Sequence, residues 1–303
     1  MKALDIFFAA RPLLHIPVWS VYLICLHYNH RSSGGHLDVV DFLILICLNL
    51  LFAGAFYINQ VFDYESDRIN KKCGFLQSGL VSGRAMVAAF LIMSLIPVAV
   101  APLVSPLTLV IFLQILVLAY IYSAPPIRLK DRPLGGLLTN SYAHGFLVAV
   151  SVMAETTISD VHLLDWDMPL YFALTVGATY ILTTIPDRQG DQATGKRTLA
   201  VVLGQTGAMV LALVLMMMSF VVAYRTGFAL LAYLSASASF LILASMLIRT
   251  TAAVLMAAKL PLLVLTMLAG YYYPGYLLFI VALLIGTRIY YRLRFNIIYP
   301  RLT

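Results

Sequence analysis

Apolar residues recur in long blocks along the whole chain, separated by short polar stretches. Ten such segments can be marked, at about 12–28, 39–62, 84–103, 106–122, 134–153, 168–186, 206–224, 227–247, 252–271 and 275–293. Each is close to the roughly 20 apolar residues that a helix needs to cross a bilayer. None shows the in–out alternation of a lipid-facing strand, so the pattern predicts helices rather than a barrel. The expected fold is all-α: a polytopic transmembrane bundle forming one domain over residues 1–303. The last segment, 275–293, is the one expected to fall short, because Arg288 and Arg292 sit in its final turns.

Composition agrees. Of 303 residues, 62% are hydrophobic and 11% charged, and the mean hydropathy is +0.93. A soluble domain carries about 25% charged residues. No cleavable leader is evident, and the first segment, opening at Arg11-Pro12, reads as a retained helix. Cys25, Cys47 and Cys73 form no ligand or disulfide spacing.

The net charge of +7 is local. Arg68, Lys71, Lys72 and Arg84 lie in one loop, Arg128, Lys130 and Arg132 in a second, Arg188, Lys196 and Arg197 in a third. The positive-inside rule puts these loops on the cytoplasmic side of the cell membrane. Lys2 and Arg11 place the N-terminus there, and Arg292, Arg294 and Arg301 favour the same side for the C-terminus. The break near Ser105-Pro106 and the acidic loop with Glu155, Asp160, Asp165 and Asp167 fall opposite.

The basic loops also hold the unusual chemistry. NQVFDYESD, residues 59–67, packs three acids into the end of an apolar run. Asn59, Asp63 and Asp67 are spaced by four and so project from one helix face. Two carboxylates and an amide offer oxygen ligands suited to a hard cation such as magnesium. Acids are poorly placed at a helix C-terminus unless a cation is present. The segment IPDRQGDQATGKRT again spaces two acids by four, Asp187 and Asp191, with Gly190 and Gly195 permitting a close turn. Two facing acidic clusters repel when empty, and magnesium with a diphosphate between them resolves that repulsion. Both clusters follow an apolar helix, which suggests a loose internal repeat of about 1–150 and 151–303. In YSAPPIRLK, residues 122–130, the double proline ends a helix. Arg128 and Lys130 then suit phosphate oxygens, and Tyr122 sits at the membrane end.

Together these segments carry a resemblance. NQVFDYESDRINKK is similar to the NxxxDxxxD motif of the UbiA-type intramembrane prenyltransferases, IPDRQGDQATGKRT resembles their second aspartate-rich motif, and YSAPPIRLK their intervening tyrosine- and lysine-containing loop. The likeness covers about residues 11–204. It implies nine transmembrane helices around a central cavity, one fewer than the apolar segments number. It also implies magnesium held through both aspartate motifs and transfer of a prenyl group from its diphosphate. Thr183-Thr184 stand where many relatives carry a further acid, a difference that bears on the acceptor.

The expected mechanism follows. Asn59, Asp63, Asp67, Asp187 and Asp191 hold two magnesium ions that bridge an allylic prenyl diphosphate. Arg128 and Lys130, with Arg68 and Arg11, neutralise the remaining charge, and Tyr122 faces the developing allylic cation. The partners are that donor, a lipophilic or aromatic acceptor and membrane lipid; no nucleic acid and no obligatory protein partner are expected. Asn140 reads as a helix contact or a cavity residue, and His15 and His144 as packed, hydrogen-bonded groups. Two other classes compete. A cation-coupled transporter would carry its acids at the midplane, and a phosphatidyltransferase of the CDP-alcohol type would need a single acidic cluster.

Overall fold

The computed structural model describes residues 2–33, 38–69, 74–153 and 165–300; Lys71, Lys72, Cys73, Glu155, Asp160 and Arg301 lie outside them. Among the described residues there is no strand. Among the same residues eight helices are long and apolar enough to cross a membrane, and the chain is an integral membrane protein.

The first segment divides. A short helix α1, Lys2–Ala9, precedes a turn at Ala10-Arg11, a 3-10 turn Pro12–His15 and helix α2, Ile16–Ser33. Helix α3 runs unbroken over Val39–Ile69. Thirty-one helical residues span about 46 Å at 1.5 Å each, against about 30 Å of hydrocarbon. The helix is therefore longer than the apolar layer is thick, and Asp63 and Asp67 lie in its last turns.

Serine and threonine caps set the next boundaries. Ser82 accepts a hydrogen bond from Ala85 N at the start of α4, Gly83–Val100, and Ser105 accepts one from Thr108 N at the start of α5, Pro106–Ser123. Ala124, forced out of helical geometry by the proline after it, closes α5 in extended conformation (φ −81°, ψ 137°). The segment expected at 134–153 is composite: α6, Pro133–Asn140, a π-helical stretch Ser141–Leu147, the single turn α7, Val148–Val150, and a 3-10 turn Ser151–Met153. Helix α8 covers Asp167–Thr184. The composite segment and α8 are absent from the eight apolar spans; both line the cavity with polar side chains.

After α8 comes α9, Arg188–Ala193. Helix α10, Leu199–Arg225, kinks at Gly204 (φ 71°), so it begins ahead of the apolar run expected from 206. Thr250 caps α12, Thr251–Tyr272, which follows α11, Ala229–Ile248. The segment expected to fall short is a full helix, α13, Pro274–Phe295. Arg288 and Arg292 fall near its end, where long basic side chains reach polar surroundings at little cost.

Candidate active site

One cavity of about 710 Å³ is enclosed by α2, α3, α5, the composite α6 segment, α8 and α10–α12. Its deep part is apolar, lined by Val21, Phe52, Phe172, Leu234 and Leu265. Its polar end carries Asn59, Asp63 and Asp67 of α3 together with Asp187 and Asp191 at the start of α9. The i, i+4 spacing of the first motif thus turns all three side chains onto one wall. Asn59 Nδ2 donates to Ser123 Oγ at 3.0 Å. That bond uses the amide nitrogen and leaves the oxygen, the atom that binds a hard cation.

The second motif is built differently from the first. Helix α8 stops before Pro186, Asp187 stands at the N-cap position of α9, and Asp191 lies in its first turn. Gly195 takes a positive φ of 74°, which lets the chain fold back so that Lys196 N donates to Asp191 O at 2.9 Å. Thr198 Oγ1 donates to Asp191 Oδ2 at 3.2 Å, and Lys196 Nζ stands 4.0 Å from Asp191 Oδ1.

The intervening loop closes between the two motifs. Lys130, 8% exposed, donates from Nζ to Asp63 Oδ1 at 2.6 Å. Burial pushes its ammonium below the ordinary lysine range, with the Asp63 carboxylate acting the other way. Arg128 pairs with Asp131 at 2.8 Å and approaches Asp63 at 3.5 Å. Arg197 N donates to Asp131 O at 3.1 Å, so the second and third basic loops meet at the same end of the bundle. Arg11 and Arg128 both adopt left-handed backbone (φ 54° and 40°), a conformation that costs an L-residue roughly 1–2 kcal/mol.

Arg11, Lys130 and Tyr122 line the cavity with the aspartates. Arg68 does not. It is exposed and pairs with Glu65 at 2.8 Å, because one residue beyond Asp67 is about 100° further round the helix. Asn140 fills both roles expected of it: it lines the cavity and donates to Gly136 O at 2.8 Å and to Tyr122 Oη at 3.3 Å. His15 donates from Nε2 to Ala10 O at 3.0 Å, whereas His144 lines the cavity with its Nδ1 unpartnered among the described residues. Thr183 and Thr184 line the cavity too, their hydroxyls donating back to Tyr180 O and Ile181 O.

Sequence reasoning missed Tyr180, Asp131 and Thr198 and took Lys196 only as a topology signal; all four line the cavity. Tyr180 had a readable signal, since it lies three and four residues, about one helical turn, before Thr183 and Thr184 on the same helix. Its hydroxyl occupies the space that a side chain on Gly136 would fill.

The donor set fits a hard divalent cation. Every candidate ligand is an oxygen, and all lie at one end of one cavity. Among the described residues no three His, Cys, Asp or Glu side chains gather closely enough to hold an ion unaided. Magnesium takes one or two carboxylates and fills its shell with phosphate oxygens and water.

Comparison with known proteins gives the family. The model of the UbiA prenyltransferase family matches residues 18–253, and the chain belongs to that family. A lycopene elongase/hydratase of Corynebacterium glutamicum is 30% identical over 220 residues, covering 69% of this chain and 76% of its own. A probable homogentisate phytyltransferase 2 of Oryza sativa is 30% identical over 193 residues, or 61% of this chain. The chain spans about half the length of the rice protein (49%). Among solved structures, a UbiA homolog from Archaeoglobus fulgidus bound to DMAPP and Mg2+ superimposes with a TM-score of 0.68 at 17% identity, over 88% of this chain and 98% of that one. The same homolog bound to GPP and Mg2+ gives 0.64.

Proposed function

We propose that this chain is a magnesium-dependent intramembrane prenyltransferase. It moves an allylic isoprenyl group from its diphosphate to a lipophilic or aromatic acceptor. The carrying observation is that both aspartate motifs and Lys130 line one cavity that also carries an apolar wall of Val21, Phe52, Phe172, Leu234 and Leu265. A substrate with a diphosphate head and a hydrocarbon tail has that same division.

In this reading Asn59, Asp63, Asp67, Asp187 and Asp191 hold two magnesium ions. When bound, the metal neutralises the diphosphate and stabilises charge as that group departs. Lys130 and Arg11 contact diphosphate oxygens, and Lys196 and Arg128 add positive charge nearby. Arg68, turned to solvent, is left out of the diphosphate contacts. The C1–O bond breaks with its electron pair going to the diphosphate, and positive charge grows on the allylic carbons. The Tyr122 ring, steadied by Asn140, stabilises that charge through its face. The apolar wall keeps water away. An electron pair of the acceptor then closes on C1, and the acceptor releases a proton.

The second and third basic loops, which meet beside the aspartates, support a cytoplasmic mouth in a plasma membrane. The acids at that end, rather than at mid-depth, speak against a transporter. Relatives are named for homogentisate and lycopene as substrates and for digeranylgeranylglyceryl phosphate as a product, so the test offers homogentisate, lycopene and a singly prenylated glyceryl phosphate ether as acceptors. Purified protein is mixed with magnesium, isotope-labelled geranyl or geranylgeranyl diphosphate and the pooled acceptors. Mass spectrometry then seeks a labelled prenylated product. A product made only with magnesium is expected; failure of the protein to bind either donor would overturn the proposal.

A further inference from the structure

The N-terminal helix is anchored far more firmly than a membrane-surface helix requires. Asp5, 1% exposed, accepts from Tyr290 Oη at 2.6 Å, from Arg294 Nε at 3.0 Å and from Arg294 Nη2 at 2.9 Å. The Phe8 ring stacks on Tyr290 at 3.9 Å. From the other side, α3 holds the backbone of α1. Tyr57 Oη donates to Ile6 O at 2.7 Å, and Gln60 Nε2 donates to Ala9 O at 2.8 Å.

These contacts converge on the residues just before Arg11, which turns in left-handed backbone and lines the polar end of the cavity. Gln60, which holds Ala9 O, is the immediate neighbour of Asn59 on α3. Asp5, Arg11, Tyr290 and Arg294 all lie outside residues 18–253, the span that the family model matches. A forked guanidinium on a buried carboxylate fixes geometry as well as charge. Helix α13 supplies none of the cavity lining, yet it supplies both side chains that grip Asp5.

We propose that Asp5, Arg294 and Tyr290 are positioning residues for the donor: they lock α1 between α3 and α13 and so present Arg11 to the prenyl diphosphate. This rests on the reading of Arg11 as a diphosphate contact. The last helix of the bundle thereby acts on a site it does not touch.

The test uses the purified full chain with magnesium and geranyl S-thiolodiphosphate, an unreactive donor analogue, and reads Kd by equilibrium binding. The variants are R11A, D5N, R294K, Y290F and the doubles R11A/D5N and R11A/R294K. R11A and R294K are each expected to weaken binding by roughly tenfold, and each double to bind no worse than R11A alone, because residues acting through one group are not additive. A purely structural role would instead multiply with R11A. If D5N does not fold, R294K and Y290F carry the test, since both keep the Asp5 carboxylate and Y290F keeps the ring on Phe8. Wild-type Kd in R294K and Y290F beside a weakened R11A overturns the lock alone. Wild-type Kd in R11A overturns the diphosphate role of Arg11 and the lock with it.

Discussion

Lys130 Nζ donates to Asp63 Oδ1 at 2.6 Å, joining the basic loop after α5 to the aspartate motif of α3. In the proposed reading the contact pairs a cation that would meet phosphate with a carboxylate that would meet metal, each neutralising the other. Donor binding would exchange that pairing for contacts to the diphosphate.

Replacing Lys130 by alanine is therefore expected to act on the donor. Donor KM should rise roughly tenfold or more, with acceptor KM little changed. Losing a hydrogen bond to a charged group should cost about 2 kcal/mol of stability, moderated because Arg128 still stands 3.5 Å from Asp63. Steady-state kinetics with each substrate varied would check this. A shift confined to acceptor preference would mean that the lysine serves the other substrate.

Tyr122 separates ring from hydroxyl. Y122F keeps the aromatic face and loses the hydroxyl's bonds with Asn140 and Tyr180, so kcat should stay within about threefold of wild type. Y122L removes the face and should lower kcat by roughly ten- to thirtyfold, the equivalent of about 1–2 kcal/mol. Equal losses in both variants would assign the role to the hydroxyl instead.

Gly145 tests the packing that shapes the cavity. It lies in the π-helical stretch, and a Cβ there would come 2.5 Å from Phe172 O and 2.7 Å from Ala173 Cα of α8. Backbone atoms cannot step aside as a flexible side chain can. G145A should destabilise the protein by about 1–3 kcal/mol, read as a lower melting temperature in detergent. An unchanged melting temperature would show that the two segments can part without cost.

Much of this was legible in the sequence, for physical reasons that also mark the limits. Spans follow from the apolar runs, because a bilayer admits little else. The shared wall of Asn59, Asp63 and Asp67 follows from the helical repeat, because α3 is unbroken through all three. The second motif is placed by other means: Pro186 follows the end of α8, and the new short helix α9 carries Asp187 at its cap and Asp191 in its first turn. Arg68 was drawn toward the site by adjacency to Asp67, although adjacent helical residues face different ways. Lys196, Asp131 and Thr198 were invisible as site residues because loops meeting in space bring them in. The π-helical stretch leaves no mark in the periodicity of so short a segment.

The central claim is that the two aspartate motifs work as one magnesium-dependent site. The most direct measurement compares wild type, D63N and D191N for transfer of labelled geranyl diphosphate to whichever acceptor the panel identifies, with magnesium and with excess chelator, after each variant is shown to melt as a folded protein. The account predicts that each substitution leaves at most about 1% of wild-type transfer, and that chelator abolishes what remains. Full transfer by either folded variant, or transfer persisting in chelator, would contradict it.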